Sequence, residues 1–205
     1  TGRHVLFVTG EYPPMTGGVG AYTEQLTHAL VGAGWRASVV TSSAVADVTS
    51  DVAYPGSVSV YPNVHKWDWH VWRSIPQLAQ RIDAQWIHVQ YQTAAYGMNP
   101  SINLAVNRWQ RANFHVAWTY HDLLVPYLFP KAGTRLRRAV TQRPATVADF
   151  TVVTNEGDRQ QLDGVARELV SIPIGSNISS SSHSAEDRDT ARQDLGHTNQ
   201  DDVLA

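Results

Sequence analysis

At 205 residues and a formal net charge of −2, the chain is long enough to bury one sizeable core and generates no long-range field that would gather nucleic acid. It contains no cysteine, which excludes a disulfide framework and thiolate metal sites, fits a reducing compartment and makes the cytoplasm the expected location. No apolar run approaches the roughly 20 residues needed to span a bilayer, and no basic-then-apolar leader opens the sequence, so the chain reads as soluble.

Val5-Leu6-Phe7-Val8-Thr9, bounded by Gly10 and Pro13-Pro14, predicts a first strand buried on both faces. From Val19 to Ala33, the residues Val19, Tyr22, Leu26, Ala29, Leu30 and Ala33 recur at helical spacing, and Gly32 and Gly34 supply the stop. Ala37 to Thr41 is another short apolar run, so strand, helix and strand form a right-handed crossover. The alternation continues with strands at Val58–Tyr61, Trp86–Val89, His115–Trp118, Phe150–Val153 and Leu169–Ile172. Between them, Ser74 is placed to cap a helix through Leu78 and Ile82, with Pro76 in its first turn. Pro100 opens a helix through Leu104 and Trp109, and Thr134 to Val147 forms another that Pro144 must kink or restart. The pattern predicts a doubly wound α/β domain: a mostly parallel sheet with helices on both faces, spanning residues 1–178. Ser179-Ser180-Ser181-Ser182 then reads as a flexible linker, Asp187 to Gly196 as a short helix, and Asp201-Asp202-Val203-Leu204-Ala205 as the opening of a further strand.

In a parallel sheet, ligands bind at the carboxyl ends of the strands, which directs attention to the loop Gly10-Glu11-Tyr12-Pro13-Pro14-Met15-Thr16-Gly17-Gly18-Val19-Gly20. Gly17, Gly18 and Gly20 stand at the start of the first helix, where bare backbone N–H groups and the helix dipole favour an anion such as phosphate. Spacing alone equally allows a tight loop entering a helix. A dinucleotide fingerprint is disfavoured because the loop is long and the second strand ends in Thr41-Ser42-Ser43 without an acidic residue. A Walker-type ATPase is disfavoured because no glycine precedes Lys-Ser or Lys-Thr. Asp187-Arg188-Asp189 satisfies an Asp-x-Asp pattern but lies in a polar tail and reads as solvated surface.

His121-Asp122 follows a central strand at the same sheet edge as the glycine loop, so both are expected to border one crevice. An imidazole there can donate to a hydroxyl or phosphate oxygen, and its charge is tunable near neutral pH; a cap for the next element explains the pair equally well. His4, His88 and His115 read as core or strand-edge residues, and no histidine pair has metalloprotease spacing, so no metal site is expected.

With these features together, the chain resembles the family 4 retaining glycosyltransferases over essentially its whole length. The matching segments are Tyr12-Pro13-Pro14-Met15-Thr16-Gly17-Gly18-Val19-Gly20, Gly34-Trp35-Arg36-Ala37-Ser38-Val39-Val40-Thr41, Ile87-His88-Val89-Gln90-Tyr91, Thr119-Tyr120-His121-Asp122, Ala148-Asp149-Phe150-Thr151-Val152-Val153-Thr154 and Ile172-Pro173-Ile174-Gly175-Ser176-Asn177-Ile178. The resemblance implies the first domain of a GT-B enzyme, with two facing doubly wound domains, the first mainly holding acceptor and the second a nucleotide-sugar. It implies that Gly17 and Gly18, with Gly20, approach the donor diphosphate and that His121 contacts the transferred sugar at the reaction centre. It also implies retention of anomeric configuration and no cofactor or metal, the departing diphosphate being stabilised by backbone amides and basic side chains. Glu11, Tyr22, Tyr91, Gln92, Asp122 and Asn155 lie where they could line the acceptor side, and Arg137 and Arg138 where they could meet an anionic acceptor. The family's donor-binding second domain is not in the sequence, so residues 179–205 read as its linker and opening strand, and the chain alone is expected to be inactive.

His65-Lys66-Trp67-Asp68-Trp69-His70-Val71-Trp72-Arg73 sets three tryptophans among basic groups, which suits peripheral contact at the inner membrane face, and some relatives act on lipid-linked acceptors. Trp72 with Ile75, Leu78, Ala79 and Ile82 equally makes a core-facing stripe. Expected partners are therefore a nucleotide-sugar donor and a sugar, lipid-linked or small-molecule acceptor, without nucleic acid. A non-catalytic sugar- or nucleotide-binding module and a different doubly wound sugar-phosphate enzyme remain alternatives.

Overall fold

A computed structural model describes residues 3–45, 58–123, 133–175 and Thr190. The chain divides into two units, Thr1–Ile174 and Gly175–Ala205. Every strand and helix named below belongs to the first. The serine linker, the helix proposed at Asp187–Gly196 apart from Thr190, the Asp187-Arg188-Asp189 pattern and the strand opening at Asp201–Ala205 lie outside the described residues.

All seven expected strands form: β1 His4–Thr9, β2 Arg36–Ser42, β3 Ser59–Val64, β4 Trp86–Tyr91, β5 His115–Tyr120, β6 Phe150–Val153 and β7 Leu169–Ser171. They pair in parallel throughout, in the order β3-β2-β1-β4-β5-β6-β7. The apolar runs in β1, β2, β4 and β5 are buried on both faces because these strands occupy the middle of the sheet. Pro62, which has no ladder donor, is tolerated in β3 because that strand forms an edge, and the register with β2 shifts between Thr41 and Ser42.

Helices cover both faces. On one, Leu26, Leu30 and Val31 of α1 (Gly18–Gly32) pack against Val5, Phe7, Ala37 and Val39. On the other, α2 (Val71–Arg81), α3 (Val106–Arg111) and α4 (Thr134–Val147) contribute Ile75, Leu78, Trp109 and Ala145 to a larger core with Leu6, Val8, Ile87, Val89 and Trp118. A short α5 (Glu156–Leu162), not anticipated from the apolar spacing, follows β6.

Details of the helices depart from the sequence reading for local reasons. The buried stripe of α1 runs through Val19, Thr23 and Thr27, while Ala29 and Ala33 are exposed. The threonines enter the core because their hydroxyls donate back to the Val19 and Glu24 carbonyls at 2.7 and 2.8 Å. At the other end, Gly34 adopts φ +84°, and Trp35 N–H donates to the Leu30 carbonyl at 3.0 Å, a left-handed C-cap that suits glycine. The helix α2 begins one turn before Ser74, because Asp68 Oδ1 accepts the His70 N–H at 3.0 Å and organises the entering turn. Pro76 therefore sits inside α2 rather than in its first turn. The Pro100 segment splits into a 3₁₀ turn at Ile102–Leu104 and α3, and α4 continues through Pro144 instead of restarting.

Candidate functional site

The strand order reverses direction between β1 and β4, so the loops leaving their carboxyl ends diverge to opposite faces and open a crevice. Tyr96, in a 3₁₀ turn at Thr93–Tyr96, lies fully buried at this junction, its hydroxyl 2.9 Å from the carbonyl oxygens of both Val8 and Gln90. Burial raises its pKa well above the ordinary phenol value. Gly10 passes so close to this turn that a Cβ would collide with the Ala95 carbonyl.

The β1–α1 loop carries its own anion. Glu11 Oε1 accepts the Val19 N–H at 3.0 Å and the Gly20 N–H at 3.2 Å, so the carboxylate caps the first turn of α1. Gly17 has an extended backbone with φ 179°, open to any residue. A Cβ there would strike the Glu11 carboxylate and push that side chain off the α1 amides it caps. Gly20 faces the Tyr12 backbone, where a Cβ would lie 3.1 Å from Tyr12 Cα, whereas Gly18 has open space. Thr9 Oγ1 donates to the Glu11 carbonyl at 2.8 Å and fixes the loop's departure from β1.

His121 sits one residue beyond β5. Its N–H donates to the Tyr91 carbonyl at 2.9 Å, extending the β4–β5 ladder by one step. Its Nε2 lies 2.9 Å from Gln90 Oε1, and its ring meets Tyr22 of α1 edge to face with centroids 4.9 Å apart. Burial lowers the His121 pKa to about 4, so the imidazole is neutral at pH 7. Beneath it, His88 stacks on Phe7 at 5.1 Å and its Nε2 lies 2.8 Å from Thr119 Oγ1. Burial, with a smaller contribution from His121, lowers the His88 pKa to about 3. Thus α1, β4 and β5 converge on a neutral histidine beside a capped helix N-terminus.

A family model described as Glycosyltransferase Family 4 matches residues 16–177. The chain belongs to glycosyltransferase family 4. Its fold is similar to that of HepE from Anabaena, solved in complex with UDP, at 16% identity and a TM-score of 0.59 over 95% of this chain and 50% of that one. It is also similar to a glycosyltransferase from Rickettsia africae, at 14% identity and TM-score 0.57, over 97% of this chain and 51% of that one. A sucrose-phosphate synthase from Thermosynechococcus elongatus is similar at 16% identity and TM-score 0.53, with 95% of this chain and 97% of that one covered. The fold is accordingly that of a GT-B glycosyltransferase domain, and the chain spans about half the length of the HepE and Rickettsia proteins. No curated protein sequence matches it.

Within this family 4 domain, Glu11, Gly17, Gly18, Gly20, Tyr22 and His121 gather at the switch-point crevice. Asp122 follows, half-buried, and Gln92 precedes the 3₁₀ turn with its carbonyl accepting the Ala95 N–H at 3.1 Å. Four other candidates lie elsewhere. Tyr91 is 1% exposed and packs with Tyr96, Trp118 and Tyr120 in the core on the face opposite α1. Asn155 caps α5, its Oδ1 accepting the Asp158 N–H and its Nδ2 donating to Asp158 Oδ2, both at 2.8 Å. Arg137 lies on α4 with Nη2 3.4 Å from Thr134 Oγ1, and Arg138 is exposed beside it. Gln90 is the residue the sequence reading passed over. Its signal was legible: His88 and Gln90 alternate inside an otherwise apolar central strand and therefore point to one face.

Among the described residues no helix is long and apolar enough to cross a membrane. A groove of about 600 Å³ lies away from the crevice, between α2 and α3, lined in part by Trp72, Arg73, Arg108, Arg111 and Phe114.

Proposed function

We propose that this domain forms the acceptor-side half of a retaining glycosyltransferase that moves a sugar from a nucleoside-diphosphate sugar to an acceptor without a bound metal. The observation that carries the reading is the neutral His121, held by Gln90 and Tyr22 at the switch point beside the α1 N-terminus. A neutral imidazole at that edge suits a sugar hydroxyl, while a diphosphate at the glycine loop would compete with the Glu11 carboxylate for the Val19 and Gly20 amides. The UDP bound by HepE favours a nucleoside-diphosphate donor for a chain of the same fold. The transfer assay compares the full-length gene product with this chain across UDP-, GDP- and ADP-sugars. The expected result is turnover by the longer protein, little or none by the chain alone, and a fall of about 10²–10³-fold in His121→Ala, the scale of losing one positioned transition-state contact. Unchanged transfer in His121→Ala overturns the reading.

A second reading concerns where the acceptor is met. Trp69, 52% exposed, stands against Trp72, and Arg73, Arg108 and Arg111 project from the same helical surface; none of these three arginines has an ion pair among the described residues. Indole and guanidinium groups on one open surface suit peripheral contact with anionic lipid. Co-sedimentation should be seen with vesicles containing anionic phospholipid and lost in Arg73→Glu/Arg108→Glu/Arg111→Glu. Equal sedimentation with neutral vesicles, or no sedimentation at low salt, refutes it.

A further inference from the structure

We propose that Gln90 is a positioning residue that fixes His121 in its Nε2–H tautomer, so that the ring offers Nδ1 as a hydrogen-bond acceptor to a sugar hydroxyl. The first clue is its burial: Gln90 is 0% exposed in a central strand, where an apolar residue would be the ordinary occupant. Its Oε1 lies 2.9 Å from His121 Nε2. With the carboxamide oxygen facing the ring, as placed, the imidazole donates from Nε2 and keeps its lone pair on Nδ1; the amide turned over would give the opposite tautomer, which makes the proton position the quantity to measure. Nδ1 has no hydrogen-bond partner among the described residues.

The second clue is the other end of the same amide. Gln90 Nε2 is buried and has no hydrogen-bond partner among the described residues. A buried unpaired amide is a standing cost that an apolar side chain of similar size would remove. Retaining it makes physical sense if Oε1 performs a task that no apolar residue can. Orientation of His121 is that task, since its backbone is already tied to Tyr91 and its ring already braced by Tyr22, leaving the proton position as the undetermined variable.

The chemical consequence is selective. An Nδ1 lone pair accepts from a hydroxyl and repels a phosphate oxygen, which has lone pairs only. Gln90 thereby directs His121 to the sugar portion of a donor and away from its diphosphate. This last step rests on the proposed transferase reading; the tautomer does not.

Nitrogen-15 correlation spectra of the histidine rings in the full chain at pH 7.5 test the assignment directly. His121 is expected to carry its proton on Nε2 with an excess about tenfold greater than that of a free neutral histidine, the added bias that one hydrogen bond of this kind confers. Gln90→Met should erase most of that bias. Gln90→Glu, which keeps an acceptor in place, should preserve it and raise the pH at which His121 protonates. A proton on Nδ1 in the unsubstituted chain, or an unaltered ratio in a folded Gln90→Met, overturns the proposal. In the full-length enzyme the same two variants separate the two readings. Loss of transfer in Gln90→Met with retention in Gln90→Glu supports both, whereas transfer indifferent to a demonstrated tautomer change overturns the sugar contact and leaves the tautomer assignment standing.

Discussion

Replacing Glu11 should move stability and anion affinity in opposite directions. The carboxylate accepts two N–H groups in the first turn of α1, from Val19 and Gly20, and so acts as a charged cap placed eight and nine residues upstream of the amides it satisfies. Loss of such a cap costs about 1–2 kcal/mol, because both the hydrogen bonds and the dipole interaction disappear and water replaces them only in part. The same carboxylate lies where an entering phosphate would compete for these amides. Two negative charges a few ångströms apart at a partly solvated surface repel by about 1–1.5 kcal/mol, roughly a tenfold change in affinity. Glu11→Ala should therefore unfold at lower urea yet bind inorganic pyrophosphate about tenfold more tightly, with the Gly18, Val19 and Gly20 amide signals moving on titration. Glu11→Gln, which keeps an acceptor and removes the charge, should retain most of the stability and show the same gain. Weaker pyrophosphate binding in both variants would refute the reasoning, since Glu11 would then belong to the anion site rather than compete with it.

Two further outcomes follow from burial and close approach. His88 and His121 are held neutral, with pKa values lowered to about 3 and about 4, and burial lowers His4 as well. Below the ordinary histidine value near 6.5 the unfolded chain takes up protons that the folded chain refuses, so this contribution is fully present above pH 6.5 and is lost progressively toward pH 4. Urea titrations should lose on the order of 5 kcal/mol between pH 6.5 and 4.5, and His88→Asn/His121→Asn should flatten the slope; a parent slope near zero would contradict the burial argument. Separately, Gly10→Ala forces a methyl group into the Ala95 carbonyl, which must displace the turn that seats Tyr96 between β1 and β4. It should destabilise the domain by about 1–3 kcal/mol in thermal or chemical unfolding, whereas Gly18→Ala, with open space at its Cβ, should lose much less.

The fold was legible because its signals are local. Each central strand is a short run of branched or aromatic residues ended by glycine, proline or a polar pair, and seven such runs separated by helical spacing admit few arrangements other than a doubly wound sheet. Helix boundaries were less legible, since they depend on side-chain bonds that periodicity does not register. Asp68 starts α2 one turn early by accepting the His70 N–H. Thr23 and Thr27 enter the core because their hydroxyls bond within their own helix.

The site divides along the same line. Residue type and edge position were enough to set His121, Glu11 and the glycines at one sheet edge, but not to say what the glycines accommodate. A bare helix N-terminus after β1 reads as an anion cradle, and the structure fills two of its amides with the chain's own carboxylate. Gly17 thus makes room for the Glu11 carboxylate, which caps an amide eight positions further on, and spacing cannot distinguish that neighbour from a phosphate. Tyr91 and Gln90 show the complementary difficulty. Adjacent in sequence at one strand end, they point to opposite faces, so Tyr91 enters the aromatic core while Gln90 meets His121. Choosing between them required knowing which face α1 covers. That face follows from the β1–α1–β2 crossover, whose apolar partners Phe7 and Val39 share the α1 side with His88 and Gln90 through the parallel register that sets Phe7 beside His88 and Thr9 beside Gln90.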